Sequence, residues 1–375
     1  MQLSSGKISR FAAPVLLVAA VLANSSPTLA QEGHEHHHGG SVPPMDADGR
    51  RLDPAAASHE MSDEQLAAMR EKVALYRALT DTEARLNMAL MGPDYEWYVS
   101  DSELQGDTGV LVLAHGVGEN SDRLFVKALE PMSRIRPTAV SFGMAMMMSG
   151  HIQSAVDDLE KHGVKRIVLV PTGVSKYNSL TRQWEYAFGM RDDSSYLDIP
   201  RIKTNAKVLM TNHISDHPLI SEALIDYTAE VSKDPANEVV IIVGHGPEDL
   251  EDNVPDLAIL QVHADRLKAA GKYSDVKVIN LQDDAYPPIR KGNVKQLRRW
   301  ITSAQRSGKK VIVTVCATNS FGVQQHIRED LRGLDYAFAE KGLAEHPNYL
   351  KWIETAVDER LALEDSKSAA TAKPQ

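Results

Sequence analysis

Residues Val239–Gly246 read VVIIVGHG. A short run of β-branched apolar residues that stops at glycine predicts a strand covered on both faces, as in a parallel sheet. The glycines flanking His245 allow a tight turn and a close approach of a ligand to the backbone. Open α/β sheets bind ligands just beyond the carboxyl ends of their strands. The stretch therefore sets an imidazole, which is a base and a metal ligand near neutral pH, where such sheets do their chemistry. Val110–Gly116, VLVLAHG, repeats the pattern with His115 in the matching place. Two such units in one chain predict an internal duplication.

Outward from VVIIVGHG, the second unit continues through an acidic segment, Glu248–Asp256, and a helix near Leu257–Ala270. A strand over Val276–Leu281 runs into Gln282, Asp283 and Asp284. A helix near Val294–Ala304 then leads to the strand Lys310–Cys316, a loop, and His326 within QQHIREDL. The first unit follows the same order. A helix through Phe125–Met132 precedes the strand Thr138–Met144, then Met146, Met147, Met148 and His151. A helix over Ile152–His162, the strand Arg166–Pro171, a polar loop at Thr172–Ser179 and the strand Lys207–Thr211 complete it. His217-Pro218 opens a helix over Ile220–Val231, and His346-Pro347 precedes one over Tyr349–Leu363. Strands alternating with helices at this spacing predict an α/β protein with parallel sheets, one unit over residues 107–236 and a similar one over 237–363.

Three segments flank this pair. Lys7 and Arg10, the apolar Phe11–Ala23 and the small-residue site Thr28-Leu29-Ala30 fit a secretory signal over residues 1–30. Its apolar run is too short for an ordinary spanning helix, so no stable membrane insertion is expected once it is removed, and the product would be periplasmic or secreted. Residues 31–61 form a linker with His34, His36, His37 and His38 beside Glu32 and Glu35; histidines this dense gather divalent ions without fixed geometry. A capping box from Ser62 to Gln65 opens a lead-in helix expected to run to about Leu90 within residues 62–106. The polar tail, 364–375, is expected to be disordered.

Composition narrows the chemistry. The net charge of −10 becomes −12 when Lys7 and Arg10 leave with the signal, which argues against non-specific binding to nucleic acid or an anionic membrane. Cys316 is the only cysteine, so neither an intrachain disulfide nor a cysteine cluster for zinc or iron–sulfur can form. GVGEN and GPEDLEDN lack the spacing of a dinucleotide or P-loop site, and no Gly-x-Ser-x-Gly elbow supports a hydrolase.

The ordered set LVLAHG and IIVGHG, DDLEKHGVKRIVLVP, HIREDL, and the closing HPLISEALIDYTAEV and HPNYLKWIETAVDERL resembles the class II tetrapyrrole chelatases of the sirohydrochlorin cobaltochelatase type, over about residues 109–363. The resemblance implies two similar flavodoxin-like, chelatase-like domains with a tetrapyrrole held in the cleft between them. It implies a histidine at the HG turn and another in the HIREDL-like segment, here His245 and His326. It also implies an acidic residue after the second strand, for which Asp283 or Asp284 is placed. The expected set is then His245, His326 and Asp284 for catalysis, with His245, His326, His115 and Asp283 as metal ligands. No tightly bound cofactor is implied; a divalent ion, Co²⁺ or else Fe²⁺ or Ni²⁺, enters as substrate without ATP.

The chemistry of the residues agrees. Inserting a divalent ion into a tetrapyrrole requires removal of two pyrrole protons and delivery of the ion, and a neutral imidazole can do either. The first unit departs from the pattern. SKYNSLTRQW has no histidine where the second unit has His326, and Met144–Met148 has no carboxylate where the second has Asp283 and Asp284. His151 and the methionines are either softer ligands or core filler. A non-catalytic metal- or tetrapyrrole-binding protein on the same fold is therefore the alternative to an enzyme.

Overall fold

The computed structural model describes residues 43–52 and 59–371. The expected signal at 1–30, the histidines at 34–38 and residues 372–375 of the tail lie outside them.

Each expected unit builds a sheet from its apolar runs. In the first, β3 (Thr108–Ala114), β4 (Thr138–Phe142), β5 (Arg166–Pro171) and β6 (Lys207–Met210) run parallel in the order β4-β3-β5-β6. In the second, β7 (Glu238–Gly244), β8 (Asp275–Asn280), β9 (Lys310–Cys316) and β10 (Ala337–Ala339) run parallel in the order β8-β7-β9-β10. The two orders are the same, so the repeat seen in the residues is a repeat of topology. His115 and His245 each follow directly on the first of the parallel strands of their sheet, at its carboxyl end.

Alternate residues of each central strand face different helices, which is why the strands read as unbroken apolar runs. Val110, Val112, Val240 and Ile242 turn toward a shared core with α4 (Glu119–Ser133), α7 (Pro218–Val231), α8 (Leu250–Gly271) and α11 (Pro347–Thr371). Leu111 and Leu113 face α5 (Gly150–Lys161) and α6 (Ser179–Ala187). Ile241 and Val243 face α9 (Pro287–Arg306) and α10 (Val323–Asp330). The closing helices are exchanged: α7, from the first unit, packs on β9 and β10, while α11, from the second, packs on β5 and β6. The shared core and this exchange tie the two sheets into one compact unit, Val42–Gln375. Among the described residues no helix is long and apolar enough to cross a membrane.

Two expectations need correction. The lead-in segment is not one helix. It breaks into α1 (Asp63–Lys72), α2 (Ala74–Ala78) and α3 (Asp81–Ala89), because Val73 is extended and a second capping box, Thr80 with Glu83, restarts the chain. These helices pack their Leu66, Met69, Tyr76 and Met88 on Met146, Tyr196 and Leu197. The same segment then forms β2 (Tyr95–Tyr98), which joins β1 (Arg50–Leu52) and β4 in antiparallel pairing at the edge of the first sheet. The tail is ordered through Thr371 as the end of α11. Glu364 pairs there with Lys207 and Arg360, and Asp365 with Arg166 at 3.0 Å, which ties the polar end to the first sheet.

Candidate active site

The histidines after β3 and β7 are held alike. Gly116 and Gly246 take φ of 76° and 77°, a left-handed turn that glycine allows without strain. A side chain at Gly246 would press within 2.4 Å of Asn280 Cβ, and one at Gly116 would come within 3.3 Å of Phe142 Cβ. In both turns the imidazole meets the carbonyl oxygen of the following glycine through Nδ1, at 2.8 Å for His245. That contact fits Nδ1–H as donor and leaves Nε2 with its lone pair toward the cleft.

His245 Nε2 lies 3.5 Å from Asp284 Oδ2, and its ring keeps 46% of its surface open. Burial works to lower the His245 pKa, but Asp284 and then Asp283 outweigh it and leave it raised above 6.5. His326 sits one turn into α10 and bonds through Nδ1 to Asp283 Oδ2 at 3.0 Å. That bond raises the His326 pKa. Asp283 is itself buried; His326, His245 and Arg290 overcome the burial and hold its carboxyl below the usual range. Arg290 bridges Asp283, at 2.8 Å, to Asp330.

All five expected residues, His115, His245, His326, Asp283 and Asp284, line one cavity of about 300 Å³ between the carboxyl ends of the two sheets. They form pairs rather than a ready cage: among the described residues no three His, Cys, Asp or Glu side chains are placed to hold an ion.

The register explains what the first unit lost. Ala114 pairs with Phe142 as Gly244 pairs with Asn280, and the same count onward sets Ala145 and Met146 opposite Asp283 and Asp284. Leu113 pairs with Pro171 as Val243 pairs with Val315, and the same count onward sets Arg182 opposite His326. Each is the fourth residue of its helix. Met146 is buried among the lead-in helices and His151 is buried 3.7 Å from Asp94, so both belong to the interior. Arg182 reaches instead across to α8 and pairs with Asp252 at 2.6 Å.

Residue types alone did not single out the rest of the cavity wall. Glu248 lines it and is bonded to Ser179; burial, then Asp284, pushes its carboxyl up to about 7. Asp256 lines it too, bonded by Ser175 and, at 2.7 Å, by Asn280. Asp252 and Asp256, four apart on α8, and Glu248 just before that helix each meet the first unit. Cys316 closes the floor, where burial pushes its thiol up to about 12, so it offers no thiolate at neutral pH. Three further histidines serve the fold. His263 is buried between Ser221 and Ser215, and His217 and His346 accept from backbone N–H groups at the starts of α7 and α11.

No family model matches the chain, and no curated protein matches it. Among solved structures, SirB from Bacillus subtilis with Fe³⁺ aligns at a TM-score of 0.50 and 12% identity, over 67% of this chain and 96% of its own. DR2241 from Deinococcus radiodurans, described as a multi-domain protein with structural similarity to chelatases, aligns at 0.41 and 15% identity over 67% of this chain and 55% of its own. At such identity the likeness to SirB shows the fold, an α/β arrangement with parallel-sheet halves.

Proposed function

We propose that the chain is a metal chelatase that inserts a divalent ion into a tetrapyrrole without ATP, acting outside the cytoplasm. The observation that supports it is the convergence of His245, His326, Asp283 and Asp284 on one cavity between two similar sheets. Insertion exchanges one divalent ion for two pyrrole protons. His245 Nε2 faces the cavity beside Asp284 and suits a proton acceptor; when protonated it pairs with that carboxylate. His326, oriented by Asp283, suits a neutral ligand that holds the incoming ion and releases it. Imidazole and carboxylate bind cobalt, nickel and iron in similar fashion, and SirB, solved with Fe³⁺, keeps iron among the candidates. The test is to mix purified protein, a metal-free tetrapyrrole and Co²⁺ and follow the absorbance spectrum. Conversion of many equivalents of macrocycle per protein supports the enzyme; a spectrum unchanged from the protein-free control overturns it.

A second reading, a non-catalytic carrier of metal or tetrapyrrole, draws on the first half, where Met146 and Arg182 stand in place of a carboxylate and a histidine. Stoichiometric binding without turnover in the same assay is its signature.

A further inference from the structure

The cavity is acidic and apolar at once. Glu248, Asp256, Asp283 and Asp284 line it, and no lysine or arginine does among the described residues. The guanidinium groups nearest to these acids are engaged: Arg290 with Asp283 and Asp330, Arg182 with Asp252. Between the acids, the three histidines and neutral polar groups, the wall presents apolar surface from Val174, Leu180, Trp184 and Val323, and Phe321 is 58% exposed. The chain as a whole carries −10, so its long-range field also repels anions.

We propose that this cleft takes a macrocycle poor in carboxylates, of the dipropionate kind, rather than a heavily carboxylated ring such as sirohydrochlorin. The proposal rests on the chelatase reading and names its substrate class. A ring with acid chains on every pyrrole would carry several of them against Glu248, Asp256 and Asp284 with no lysine or arginine to meet them, and setting like charges together in a cleft is costly. A dipropionate ring can lay its apolar body on Phe321 and the aliphatic wall and leave both acids in water. The acids that repel the first ring attract the divalent ion, so the same wall serves metal delivery and substrate choice.

The experiment uses the full chain and two metal-free rings, one of the uroporphyrin type and one of the deuteroporphyrin type, read by quenching of tryptophan fluorescence at low and high salt. The expected result is at least about tenfold tighter binding of the dipropionate ring at low salt, a factor equal to about 1.4 kcal/mol. Salt should narrow the gap by screening the repulsion, and Glu248→Gln should narrow it at low salt. If the uroporphyrin-type ring binds as tightly or more tightly, with affinity that falls as salt rises, this proposal is overturned and the chelatase reading stands. If neither ring binds, both are overturned.

Discussion

His326 Nδ1 and Asp283 Oδ2 stand 3.0 Å apart, joining the helix after β9 to the loop after β8. The bond orients the imidazole and shifts both partners, His326 upward from 6.5 and Asp283 downward from 3.8. The signs fix a window. The raised histidine stabilises the fold fully below 6.5, and that contribution is lost as pH rises through its folded pKa. The depressed carboxylate stabilises it above 3.8 and is lost as pH falls through its own. The pair therefore contributes most between these limits. Asp283→Asn should bring the His326 titration down toward 6.5, read by NMR of the ring proton, and should lower the melting temperature inside that window while weakening its fall beyond either limit. An unchanged His326 titration would mean that Asp283 does not set it.

The matching glycine turns predict an ordered pair of effects. Gly246→Ala and Gly116→Ala each force alanine to a positive φ, at a cost of about 1–3 kcal/mol. At Gly246 the new carbon also overlaps Asn280, adding about 1–3 kcal/mol of overpacking, while the contact at Gly116 is far looser. Urea unfolding of both variants should rank Gly246→Ala as the more destabilised; the reverse order would contradict the geometry.

The central strands could be read from their residues because both faces are covered, so burial writes itself as an apolar run. Strand β2, between β1 and β4, could not. Tyr95-Glu96-Trp97-Tyr98 has a carboxylate in its middle, and all four residues are buried. Glu96 is tolerated there because Arg51 pairs with both it and Asp158, partners far apart in the chain. The site divides the same way. His245 announces itself by residue type at a strand end, and the resemblance of the motifs points to His326 and to the Asp283-Asp284 pair. Arg182 carries neither signal, since its equivalence to His326 appears only when the registers of β5 and β9 are laid side by side.

Arg182 predicts a cross-cleft role in place of a catalytic one. Its pair with Asp252 is about three-quarters buried and joins α6 to α8 beside two further bridges, Ser175 to Asp256 and Ser179 to Glu248. A double-mutant cycle of Arg182→Ala and Asp252→Ala should return a coupling of about 0.5–3 kcal/mol in unfolding free energy. Additive single effects would show that the two residues act separately.

The histidines at 34–38 suggest metal gathering by a tether. Deleting residues 31–40 should slow metal insertion when metal is scarce and leave the rate unchanged at excess, as an effective-concentration device does. Equal loss at saturating metal would assign the segment to the active site.

The two halves make the sharpest comparison. His245 and His326 lie in the half that keeps the carboxylates, each beside its own, Asp284 and Asp283. His115 has the same turn and the same Nδ1 contact, but Met146 and Arg182 stand where its partners would be. A positioned acid–base group is worth about 10²–10⁴ in rate, so His245→Ala and His326→Ala should each lower the initial insertion rate by about that factor. His115→Ala should cost less, because its half lacks the counterparts of Asp284 and His326. Circular dichroism on each variant separates lost chemistry from lost folding. If His115→Ala abolishes turnover while the other two variants stay active, the chemistry belongs to the first half, and Met144 on the cavity wall beside His115 becomes the place to look for the missing ligand.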